Sequence, residues 1–192
     1  MPSKAKAIYD IKLGYAQPDT GLPARGDAPY RNGVSASLHF LAKNEGGVTM
    51  KIKRIEHIAV AVEDMDFMAK LLGDKFGLDL EYTEERVATR IGMLPVGETY
   101  IELLQGVSPE SGATKWLKEN GQSLFHICFE VEDLDEALAE LKAKGTPLLN
   151  DEPIIGHANC RIAFIDPKAT GNLLFELAEM PAEVPGGGHS GH

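Results

Sequence analysis

HIAVAVEDMDFMAKLL, residues 57–72, and HICFEVEDLDEALAEL, residues 126–141, decide the fold. The second begins 69 residues after the first and repeats its pattern. Each opens with the period-two alternation of a half-buried strand. In the first, Ile55, His57, Ala59 and Ala61 share one face, and Ile58, Val60 and Val62 share the other. In the second, His126 and Cys128 oppose Phe125, Ile127, Phe129 and Val131. Each strand then meets Glu-Asp and a helical pattern. Asp64 is placed to cap a helix with Phe67, Met68, Leu71 and Leu72 on its apolar face. Asp133 is placed to cap another, with Glu136 set for a capping box and Leu134, Ala137, Leu138 and Leu141 on one face. Gly73 or Gly77 is expected to end the first helix, and Gly145 the second.

Strand-like runs complete each copy. They fall at 87–94 and 99–104 in the first copy, and at 147–149, 160–165 and 172–178 in the second. SPESGATKWLKENG reads as a connecting helix at about 110–120. Each copy is thus a βαβββ unit, over about 53–106 and 122–179. A unit so short buries too little surface to stand alone. The two should pair into one α+β domain over 51–180.

Around this core the chain changes character. Its 192 residues carry 19 basic and 29 acidic side chains, a net charge of −10. Residues 1–50 hold six basic and four acidic residues, so +2 lies there and −12 on the remaining 142. Nucleic acid is excluded as a partner, since phosphate binding requires a basic face. No apolar run reaches the ~18 residues of a membrane span. Residues 14–34 are rich in Gly, Pro and Asp and hold no period, so 1–50 reads as an irregular extension. Ile8, Tyr9, Ile11, Leu13 and Tyr15 favour docking it on another subunit. PAEVPGGGHSGH, within 181–192, reads as a flexible tail. The start, MPSKAKAIYDIK, lacks a secretory apolar core, and Cys128 and Cys160 are too few for a disulfide framework. A cytoplasmic protein is expected.

Four residues stand out by position. His57 and His126 occupy equivalent places on the first strands, and Glu102 and Glu176 on the last strands, inside YIELL and LFELA. Singly, such residues are ordinary satisfied histidines and edge-strand acids. Their recurrence at matched places changes the reading, because a buried unpaired carboxylate costs several kcal/mol. A pseudo-two-fold would converge two imidazoles and two carboxylates on one divalent metal ion. Cobalt, zinc, manganese and nickel suit these donors alike. Cys128, Cys160 and Trp116 read as packing residues.

The segments IEHIAVAVEDMD, MLPVGETYIELLQ, FHICFEVEDLDEALAELKAKG, LLNDEPIIG and IAFIDPKATGNLLFELAE resemble the methylmalonyl-CoA epimerases of the vicinal oxygen chelate superfamily. The resemblance covers about 53–179 and implies metal ligands at His57, Glu102, His126 and Glu176. It implies an isomerase that epimerises a short dicarboxylyl-CoA by α-proton abstraction through a metal-stabilised enolate, with Glu176 in proton transfer. It also implies an acyl-CoA substrate and a homodimer. A glyoxalase-type lyase on a thiol–aldehyde adduct and a noncatalytic subunit of a larger complex are the alternatives.

The chain departs from the family pattern in several places. Phe125-His126 stands for His-His, Asp166-Pro167-Lys168 for His-Pro-Lys, and Gly156-His157-Ala158-Asn159 for Gly-Ala-His-Gly. Thr89-Arg90-Ile91-Gly92 lacks the second acid–base glutamate of some epimerases, leaving Glu84, Glu85 or water to replace it. Arg90 is either a substrate-carboxylate partner or an exposed strand residue. Lys168 and Arg161 are candidates for CoA phosphates, and His157 is a loop histidine or a proton shuttle.

Overall fold

The computed structural model describes residues 50–182. The extension expected over 1–50 and the tail over 181–192 lie, but for Met50, Pro181 and Ala182, outside the described residues.

The first copy runs β1 (Ile52–Ala61), α1 (Met65–Phe76), β2 (Tyr82–Arg86), β3 (Thr89–Val96) and β4 (Thr99–Gly106). Helix α2 (Gly112–Asn120) connects it to the second copy. That copy runs β5 (Ser123–Val131), α3 (Leu134–Ala143), β6 (Ile154–Ile155), β7 (Arg161–Ile165) and β8 (Phe175–Glu179). One sheet has the order β2-β3-β4-β1-β5-β8-β7-β6, which is symmetric about its centre. β1 pairs parallel with β4, β5 pairs parallel with β8, and β1 and β5 meet antiparallel at the middle. The paired βαβββ, α+β arrangement legible in the repeat is the observed fold.

Caps and turns follow the local chemistry. Asp64 accepts from the Phe67 amide and Asp133 from the Glu136 amide, each at 2.9 Å. Gly77, at φ 68°, closes α1 in the left-handed region. Two strands differ from expectation. The run 87–94 straddles a hairpin turn, with Val87 and Ala88 at positive φ, so β2 and β3 are separate strands. β2 is YTEER, an edge strand whose charges hide its alternation. The run 147–149 forms only a single bridge, Leu148 to Ile165, and the outer strand is Ile154–Ile155.

The two helices cover the convex side unequally. Leu134, Ala137, Leu138 and Leu141 of α3 are all buried, against Val131, Ala163, Ile165 and Leu177. On α1, Met65 is buried and Met68, Ala69 and Leu72 pack beside Val62, Leu94 and Leu103. Phe67, expected on that face, is 62% exposed. Met65, at the start of the helix, fills the place instead.

Leu138→Ala is therefore expected to destabilise the protein by about 2–5 kcal/mol through a core cavity. Phe67→Ala should change stability by no more than about 0.5 kcal/mol. Urea unfolding midpoints at constant slope read both.

Candidate metal centre

The concave side of the sheet gathers the ionisable residues. At the centre, β1 and β5 bring His57 and His126 together, and the outer neighbours β4 and β8 bring Glu102 and Glu176. All four are buried. His57 Nε2 lies 2.8 Å from His126 Nε2, 3.4 Å from Glu102 and 4.0 Å from Glu176. His126 Nε2 lies 3.6 Å from Glu102 and 2.9 Å from Glu176. The four residues expected from the repeat thus converge.

The electrostatics match the geometry. Burial opposes a charge on His57, but Glu102, Glu56 and Glu176 outweigh it and push the imidazole up to about 9. Burial likewise opposes the Glu176 carboxylate, yet His126 and His57 hold its pKa below the ordinary value. A proton on imidazole therefore does in this cage what a cation would do. Two nitrogens facing across 2.8 Å, with two carboxylates in ion-pair reach, form a donor set that fits a divalent metal. His57, Glu102 and His126 offer ligand atoms that all lie within 4.8 Å of one another.

A pocket opens above the cage. Glu102, His126, Glu176 and His157 lie in its walls, with Ile91, Leu104, Phe125, Ile162, Phe164 and Leu174 supplying apolar surface. Trp116 of α2 also lines it, edge-on to Phe125 at 5.2 Å and bonded through Nε1 to Ser123 Oγ at 2.8 Å. Helix α2 is pressed against the end of β4. A Cβ on Gly106 would sit 1.9 Å from Thr114 Oγ1 and 2.8 Å from its backbone nitrogen. Across the mouth, β2 is stitched to the turn after β6. Tyr82 Oη meets His157 Nδ1 at 3.1 Å, Glu84 accepts from the Ala158 amide at 3.0 Å, and Arg86 donates to Asn159 at 2.8 Å. The two edges of the sheet are thereby joined.

The remaining sequence candidates find other places. Arg90 forms a fork with Asp66 at 2.8 and 3.0 Å. Arg161 pairs with Asp135 at 2.7 Å and Glu179 at 3.1 Å, and Lys168 is exposed. Glu84 is held in the seam and Glu85 is exposed. Cys128 and Cys160 are buried in one apolar cluster, where burial raises both thiols.

Glu56 was not anticipated. Strict alternation puts it opposite His57. A bulge between Ile55 and His57 in the β1–β5 register turns both inward. Glu56 is 1% exposed and bonds to His57 Nδ1. The available signal was an acid in the apolar run IEHIAVAV with Phe125 as its counterpart in the repeat.

This fold and cage define a class. The chain belongs to the glyoxalase/bleomycin resistance protein/dioxygenase superfamily, whose family model matches residues 56–164. Within it the chain is an epimerase-like enzyme, as its motifs implied. It is 30% identical over 165 residues to the mitochondrial methylmalonyl-CoA epimerase of Mus musculus, covering 83% of this chain and 92% of that protein. It is 33% identical over 135 residues to the ethylmalonyl-CoA/methylmalonyl-CoA epimerase of Cereibacter sphaeroides, covering 67% of this chain and 99% of that protein. The structure of a single-substitution variant of Streptomyces coelicolor methylmalonyl-CoA epimerase, in complex with 2-nitronate-propionyl-CoA, superposes with a TM-score of 0.66 at 32% identity. That match covers 69% of this chain and 97% of the other. No helix among the described residues is long and apolar enough to cross a membrane.

In metal-free protein, His57 binds its proton more tightly when folded, with a pKa of about 9 against an ordinary 6.5. The stabilisation is full below 6.5 and is lost as pH rises through 9. The thermal midpoint should therefore fall between pH about 7 and about 9.5. A flat or rising midpoint in scanning calorimetry would contradict this electrostatic account.

Proposed function

We propose that this chain epimerises a short dicarboxylyl-CoA, with methylmalonyl-CoA as the first substrate to test, at the carbon next to the thioester carbonyl. The reading is carried by the buried two-imidazole, two-carboxylate cage at the floor of an apolar pocket. Relatives of that name, similar over nearly their whole length, support it.

His57, Glu102, His126 and Glu176 would hold one divalent cation. The cation would supply the positive charge that lowers the energy of an enolate. Glu176 takes the α-proton: the C–H bond breaks, its electron pair enters the enolate, and the proton rests on the carboxylate. Inversion then requires a proton on the other face. Ile91 leaves the β3 wall apolar at that level. Glu102, the pseudo-two-fold mate of Glu176, is the other buried carboxylate in the pocket walls among the described residues. Entering the cycle as the carboxylic acid, it gives its own proton to the enolate carbon and is left as carboxylate, and solvent afterwards takes the proton from Glu176 and restores the one on Glu102. Residues 51–180 carry this chemistry, while 1–50 dock on a neighbouring subunit. The active form is a homodimer, so light scattering should return a mass near twice 20.8 kDa.

Metal-loaded protein in deuterium oxide should wash deuterium into the α-carbon of methylmalonyl-CoA. Glu176→Gln should lower the exchange rate by about 10²-fold or more. Glu102→Gln, which keeps an oxygen donor, should slow inversion more than exchange. Absence of exchange across an acyl-CoA panel, with turnover of a thiol–aldehyde adduct instead, would replace this reading with the lyase. His57→Ala and Glu102→Ala should each lose the metal in elemental analysis. Full metal content in both would remove the site.

A further inference from the structure

We propose that Glu56 is a positioning residue, which fixes the tautomer and orientation of the His57 imidazole so that Nε2 faces the cage, and that His157 in turn fixes Glu56. The inference rests on the cation reading of the cage given above.

The two copies expose what is unusual here. Glu56 and Phe125 are counterparts, each the residue before a cage histidine. A bulge in the β1–β5 register turns each inward: one between Ile55 and His57, the other opposite Ala59 and Val60, at Phe125. Phe125 packs as a pocket wall, edge-on to Trp116 and with its centroid 5.4 Å from that of His126. Packing accounts for it. It does not account for Glu56, a carboxylate equally placed and 1% exposed. A buried carboxylate persists only where its oxygens are satisfied.

Its partners show what it does. Oε2 meets both His57 Nδ1 and His157 Nε2, the latter at 3.2 Å, and Oε1 lies 3.7 Å from Arg54. An ionised carboxylate only accepts, so both imidazoles must donate to it. His57 then carries its hydrogen on Nδ1, and its neutral form presents a lone pair at Nε2, where His126 and Glu102 converge. His157 donates through Nε2, and its neutral form accepts from the Tyr82 hydroxyl at Nδ1. From Tyr82 through His157 on one side and from His57 on the other, the donated hydrogens converge on the Glu56 carboxylate. Outer partners of this kind orient ligating imidazoles and raise their basicity.

The arrangement is one-sided. Nδ1 of His126 is buried and has no hydrogen-bond partner among the described residues. The support for His57 arrives from the other repeat, because His157 sits in the turn stitched to β2. Ala158 and Asn159 hold left-handed φ of 46° and 61° there, fixed by Glu84 and Arg86. His57 is thus the anchored ligand of the pair, and His126 is the adaptable one.

The test uses full-length protein, freed of metal by chelator, with Co²⁺ alone as the probe. Calorimetric titration and the visible d–d absorption are read together. Glu56→Gln, with wild-type circular dichroism, should weaken Co²⁺ binding by about 10–100-fold and change the absorption band. His157→Phe should shift both in the same direction by less. Co²⁺ affinity within about twofold of wild type, with an unchanged band, in either folded variant would overturn the proposal. Such a result leaves the cation reading standing if wild type binds Co²⁺. Failure of wild type itself to bind would sink both.

Discussion

Four ionisable side chains are held out of water where two repeats meet, and the remainder of the domain is arranged so that this is tolerable. Neither repeat alone could do it. Each supplies one imidazole and one carboxylate from parallel neighbouring strands, β1 with β4 and β5 with β8. The antiparallel join of β1 to β5 sets the two pairs face to face. Without opposite partners, burying these carboxylates would cost several kcal/mol each. The sheet order, symmetric about its middle, is the geometric expression of that requirement.

Much of this was legible in the chain because it was written twice. His57 and His126, and Glu102 and Glu176, are each unremarkable singly, and become a set only by recurring at matched places. The helix starts were legible for a local reason, since Asp64 and Asp133 need nothing beyond their own turn to cap. β2 was not, because YTEER is charged enough to pass for a loop and is a strand only through pairing with β3. Phe67 misled for a similar reason: helical spacing places a side chain on a face, and tertiary packing decides how wide the buried face is.

Glu56, and the bond that His157 makes to it, were obscured by a different mechanism. The bulges in β1 and β5 break the alternation on which strand reading depends, and periodicity has no way to register an extra residue. His157 reaches Glu56 from 101 positions along the chain, by way of a turn whose backbone is held by β2. Long-range hydrogen bonds from irregular segments leave no periodic trace. The residues that surround the four-residue cage were therefore harder to find than the cage itself.

The paired bulges carry an implication for handedness. Duplication gives a chain two versions of every scaffold position, and most must stay alike to keep the sheet closed. The residue just ahead of each cage histidine escaped that obligation, becoming an acid in one half and an aromatic ring in the other. A pocket built on a two-fold would greet both orientations of a guest equally. Here the axis is broken one residue ahead of each cage histidine, so a chiral molecule entering the pocket meets two unlike sides.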